Sequence, residues 1–114
     1  MKRIVLLLSM GLAFAASAAD VPADAGMAEV QELGRLNGQA LACAQSGNMT
    51  RIKTAIIQHA PKARRYGEQF EVATNEAYLA QSKADACQDA AVLASEVEAV
   101  VIRLRVAVPA ALAQ

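Results

Sequence analysis

Apolar residues recur at intervals of three and four along most of the chain, the repeat expected for α-helices with one buried face. The first stretch runs from Met27 to Ala44, with Asn37 as its single polar interruption. The residues "SGN" at 46–48 are typical of a turn, with Gly47 as a helix C-cap. The pattern therefore predicts a first helix that ends close to this turn.

Three further stretches have the same repeat. The second is expected to begin near Met49 and to stop at Pro61, because proline cannot continue the helical hydrogen-bond ladder. The third is expected to begin at that proline, and the fourth to begin with Asp85 as its N-cap. We thus predict an all-α fold, a small antiparallel bundle of three to four helices over residues 27–108, followed by a tail at 109–114.

The N-terminus has the features of an export signal. A short cationic start precedes an apolar run at 4–14 and then small residues, which favours cleavage after Ala18 or Ala19. The run is too short for a stable membrane span, which needs about 20 apolar residues. We interpret 1–18 as a cleaved signal and 19–26 as a flexible lead, which predicts a periplasmic or secreted protein; an uncleaved anchor is the alternative.

Signal removal changes the charge balance. The whole chain has 11 basic and 11 acidic residues, and loss of Lys2 and Arg3 leaves a net charge of −2. This balance argues against nucleic acid as a partner.

The two cysteines, Cys43 and Cys87, both belong to the expected mature chain. They are too far apart for a C-x-x-C redox site, and exported proteins meet an oxidising compartment. We predict one intrachain disulfide, worth about 4 kcal/mol in the chain-entropy treatment. A bridge between two chains is the alternative.

Residues for catalysis or metal binding are scarce. His59 is the only histidine, and bonded cysteines leave no set of zinc ligands. Ser46 and Ser82 lie in no nucleophile motif. Helix seams rich in alanine offer little room for a substrate cleft. We therefore expect no enzyme activity and no cofactor.

Charge is unevenly distributed along the chain. Residues 33–67 contain six basic residues and no acid, and 68–98 contain seven acids and one base. Three of the bases crowd an expected helix N-terminus, against the usual dipole preference. We define a cationic band as the candidate partner-docking surface; its members are Arg51, Lys53, His59, Lys62, Arg64, Arg65 and Tyr66. The alternative is that acidic and basic faces neutralise each other within the bundle or across a dimer.

Gly34 and Gly38 form a second candidate feature, since two glycines four residues apart on one helix allow a neighbour to approach closely. Tight packing within the bundle is the preferred interpretation, and a dimer interface is the alternative.

These features favour an exported, non-catalytic protein-interaction module: an adaptor, inhibitor or subunit. Its expected partner is another envelope protein, and a homodimer is possible. The layout of export signal, helical domain and one wide-spaced disulfide is similar to that of small periplasmic acid-stress chaperones. That resemblance implies an alternative function, in which protonation of carboxylates exposes apolar helix faces.

Overall fold

A computed structural model describes residues 22–110, which form four α-helices and no β-strand. The helices are α1 (Met27–Ala42), α2 (Ser46–His59), α3 (Arg64–Ser82) and α4 (Ala90–Ala107). The predicted all-α bundle is confirmed. The proposed signal at 1–18 and the last four residues of the tail lie outside the described residues.

Helix α1 is the centre of the bundle, since it packs against each of the other three helices. Helix α2 also packs against α4, whereas α3 packs mainly against α1. The core therefore lies among α1, α2 and α4. Its largest fully buried side chains are Leu33, Leu36, Ile52, Leu93, Leu104, Val30, Val97 and Val101.

The connection between α1 and α2 differs from the predicted turn. Helix α1 ends at Ala42, and Ala44 adopts a left-handed conformation with φ 56°. The Gln45 amide donates to the Ala40 carbonyl at 2.8 Å, which closes α1 in a Schellman arrangement. The predicted C-cap, Gly47, instead lies in the first turn of α2. The alanine at the left-handed position gave no sequence signal for this ending.

Helix α4 also begins later than predicted. Its N-cap is Asp89 rather than Asp85, and the Asp89 carboxylate accepts a hydrogen bond from the Ala91 amide at 2.8 Å. Cys87 therefore lies in the connection before α4, where it forms the predicted disulfide with Cys43, with the Cα atoms 5.8 Å apart. The disulfide is thus confirmed, and it joins the end of α1 to the segment that leads into α4.

Residues 22–26, at the end of the predicted lead, form a turn against the bundle. The Ala25 amide donates to the Pro22 carbonyl at 2.9 Å, which forms a turn. Gly26 then adopts φ 77° and lies against Val108 and Leu104 at the end of α4. The segment is held because it covers the end of the core.

Candidate functional site

The seam between α1 and α3 is formed at two glycines. A Cβ atom on Gly34 would lie 2.7 Å from the Phe70 carbonyl oxygen, and one on Gly38 would lie 2.7 Å from the Tyr78 nitrogen. Both distances are too short for a real side chain. The absence of a side chain at these positions therefore lets the α3 backbone lie directly on α1.

A buried polar pair lies within this seam. The Thr74 hydroxyl lies 2.8 Å from the Phe70 carbonyl oxygen, to which it donates, and accepts a hydrogen bond from Asn37 Nδ2 at 3.3 Å. Asn37 is only 3% exposed, and its Oδ1 has no hydrogen-bond partner among the described residues. Sequence reasoning noted Asn37 only as an interruption of an apolar face and did not identify Thr74. Thr74 follows Phe70 by four residues, a helical repeat, and that spacing was the available signal.

A groove of about 400 Å³ lies beside this pair, between α2 and α3. It exists because both helices pack against α1 rather than against each other. The groove is lined by Asn37, Leu41, Met49, Lys53, Gly67, Phe70, Glu71, Thr74 and Asn75. It therefore combines apolar side chains with exposed groups of both charges. We call it the α2–α3 groove.

A second open groove, of about 830 Å³, is lined by α1 and α3 residues. Its walls include Gln31, Arg35 and Gln69 together with several alanines. Both grooves are open to solvent along their length. Neither groove shows that the protein is an enzyme.

The cationic band does not form one continuous free surface. Arg51 pairs with Glu98 of α4 at 2.6 Å, and Arg64 pairs with Glu68 at 2.8 Å. Lys62 donates to the Ile57 carbonyl near the end of α2, where a cation is favoured by the helix dipole. Most of the band is thus engaged within the chain, although the Arg64 side chain is 92% exposed and its pair contributes little.

Tyr66 belongs to the core rather than to an exposed docking surface. The residue is 3% exposed, and its hydroxyl donates to the Ala25 carbonyl at 2.9 Å. Arg65 lies over the Tyr66 ring, 5.0 Å from its centroid, and pairs with Asp24 at 3.3 Å. Arg65 and Tyr66 together attach the start of α3 to the segment before α1. These contacts offset the unfavourable placement of cations at the N-terminus of α3.

His59 lies where basic residues of two helices converge. Burial lowers the pKa of His59, and the positive charges of Arg105, Arg51 and Lys62 lower it further. Arg105 was not included in the cationic band, because its position in α4 is distant in sequence. Lys53 is the band member that lines the α2–α3 groove.

Two further observations concern the described residues. No cluster of three or more His, Cys, Asp or Glu side chains among residues 22–110 could hold a metal ion. No helix within the same range is long and apolar enough to cross a membrane. The disulfide is consistent with a location outside the cytoplasm.

No protein-family model matches the chain, and comparisons with curated proteins and with solved structures found no significant match. The residues themselves therefore carry the functional argument. They define a small disulfide-linked helical bundle with two open grooves on its surface.

Proposed function

We propose that the protein is an exported, non-catalytic interaction module that binds a polypeptide segment of another envelope protein in the α2–α3 groove. The observation that carries this proposal is the composition of the groove. Leu41, Met49 and Phe70 provide apolar surface, and the exposed side chains of Lys53 and Glu71 lie at its edges. Apolar surface flanked by charges is typical of a site that receives a polypeptide segment.

The shape of the groove favours a segment of polypeptide over a small enclosed ligand. The groove follows α3 from Gly67 to Asn75, about 12 Å along the helix axis. Lys53 and Glu71 are exposed on opposite walls and can orient the polar groups of a bound chain. The expected occupant therefore presents one or two apolar side chains and polar groups that meet Lys53 and Glu71.

The test begins with a photo-crosslinking amino acid at Leu41, a partly exposed groove residue, in cells that export the protein. A captured protein is then purified and titrated against variants of this chain. Leu41→Glu and Lys53→Glu should each weaken its binding by about tenfold or more, whereas Lys83→Glu, an exposed change outside the groove, should not.

Thermal unfolding of the same variants separates loss of binding from loss of structure. Leu41→Glu changes an exposed side chain and should unfold close to the wild-type temperature. Unchanged affinity in both groove variants, or no specific capture at Leu41, would contradict the proposal.

An acid-stress chaperone is the second candidate function. It is favoured by the Arg51–Glu98 pair, which lies between α2 and α4 and depends on an ionised carboxylate. The pair is half exposed and contributes little by itself, so the bundle would loosen and expose apolar faces only when several carboxylates are protonated together. Capture of many unrelated proteins at about pH 4 and of none at pH 7 would support this function over a specific partner.

A further inference from the structure

The outer face of α4 exposes a regular apolar stripe. Leu93, Val97, Val101 and Leu104 of this helix are buried in the core. A second row, on the solvent side, follows the three–four spacing of a coiled-coil seam and consists of Val92, Ser95, Ala99, Ile102 and Val106. Val92 is 50% exposed, Ile102 60% and Val106 81%. We call this row the α4 stripe.

We propose that the α4 stripe pairs with the α4 stripe of a second copy of this chain, in an antiparallel arrangement. The proposal is independent of the occupant of the α2–α3 groove. It rests on charge and on side-chain size, both of which are complementary when the helix is placed against a reversed copy of itself.

The charges that flank the stripe change sign along the helix. Glu96 and Glu98 flank its N-terminal half, and Arg103 and Arg105 flank its C-terminal half. An antiparallel pair places Glu96 near Arg103 of the second copy and Glu98 near Arg105 of that copy, so all four residues meet an opposite charge. A parallel pair would join only Glu98 with Arg103.

Neighbouring charges do not prevent this pairing. Arg51 already donates two hydrogen bonds to Glu98, but the Glu98 side chain is 51% exposed and a carboxylate accepts about four. The positive charge of Arg103 interacts with the Glu32 carboxyl group of α1 and helps to lower its pKa. The side chains of Arg103 and Arg105 make no ion pair within residues 22–110 and are exposed.

Side-chain size is complementary in the same arrangement. With the two-fold axis near residues 100 and 101, Ala99 faces Ile102 of the second copy and Ser95 faces Val106. The four central layers then combine a small side chain with a large one, as close packing requires. The contact is isologous, so it closes at two copies and does not extend into a filament.

The first experiment measures the molecular mass of the purified, oxidised protein by sedimentation over a concentration series, with the N-terminus established by mass spectrometry. Wild type should reach the mass of two chains. Ile102→Glu should weaken the dimer by about tenfold or more. Val72→Glu, a matched change at an exposed apolar residue of α3, should leave the dimer intact.

A charge-exchange experiment tests the ion pairs of the dimer, and engineered cysteines test its antiparallel orientation. Arg103→Glu/Arg105→Glu and Glu96→Arg/Glu98→Arg should each reduce self-association, and mixing the two variants should restore a dimer. Ser95→Cys and Val106→Cys proteins should form a disulfide with each other when mixed, and neither should form one with itself. Circular dichroism verifies that each variant is folded.

A monomer at every concentration up to the order of 1 mM would overturn the proposal. So would a dimer that is lost with Val72→Glu but retained with Ile102→Glu. Self-linked Ser95→Cys would overturn the antiparallel orientation. None of these results depends on whether a partner binds the groove, so failure of one proposal leaves the other to be judged by its own test.

Discussion

The Tyr66 hydroxyl donates a hydrogen bond to the Ala25 carbonyl oxygen at 2.9 Å, which joins the first turn of α3 to the segment that precedes α1. Tyr66→Phe would leave that carbonyl without this donor and should lower the free energy of unfolding by about 1 kcal/mol. Urea unfolding measures the change. The matched control is Tyr78→Phe, at a partly exposed position, which should stay within about 0.5 kcal/mol of wild type.

The α1–α3 seam gives a second prediction. Gly38→Ala places a Cβ 2.7 Å from the Tyr78 nitrogen and should destabilise the fold by about 1–3 kcal/mol, because α3 must move away from α1. Gly67→Ala is the control: it also lies within a helix but has no neighbour within 4 Å of the new Cβ. It should be stabilising by about 0.5–1 kcal/mol. Equal effects in thermal unfolding would contradict close packing at Gly38.

The ending of α1 gives a third prediction. Ala44 has φ 56°, a conformation that is unfavourable for a residue with a Cβ atom by about 1–2 kcal/mol. Ala44→Gly should relieve part of this cost and raise the free energy of unfolding by about 0.5–1 kcal/mol, after subtraction of the glycine entropy in the unfolded chain. Ala42→Gly, two residues earlier at the last residue of α1, should destabilise instead. Denaturant unfolding of both variants distinguishes these signs.

The sequence predicted the parts of the fold that depend on spacing. The apolar repeat identified four helices, and the two cysteines identified the disulfide. It did not place the ending of α1 at Ala44, because that ending depends on a left-handed backbone conformation. It did not place the start of α4 at Asp89, because Asp85 was a competing N-cap. The same apolar repeat could not show which helices leave a gap, so the α2–α3 groove was not predicted.

The candidate docking residues were harder to predict for a different reason. Charge along the chain does not reveal which acids lie opposite each base after folding, so the Arg51–Glu98 pair could not be foreseen. An aromatic residue beside arginines is equally compatible with a binding surface and with a core anchor. Burial decides between them, and Tyr66 is buried.

Acid should destabilise the protein in two stages, because three groups have lowered pKa values in the folded state. Burial lowers the pKa of His59, and hydrogen bonds from arginines lower the pKa of Glu32 and Glu98. Each group therefore binds fewer protons when folded, so its stabilising contribution is present above the unfolded pKa and is lost as pH falls through the folded pKa. The first loss begins below about pH 6.5 and the second below about pH 4.5.

Single substitutions separate the two stages. In His59→Gln the free energy of unfolding should depend less on pH between pH 7 and pH 5.5. In Arg51→Met the loss of unfolding free energy at lower pH should be smaller than in wild type by less than about 1 kcal/mol, since the Arg51–Glu98 pair is half exposed. Urea unfolding at about pH 7.5, 5.5 and 3.5 measures both effects. If the free energy of unfolding of His59→Gln falls as steeply as that of wild type between pH 7 and pH 5.5, a group other than His59 causes the first stage.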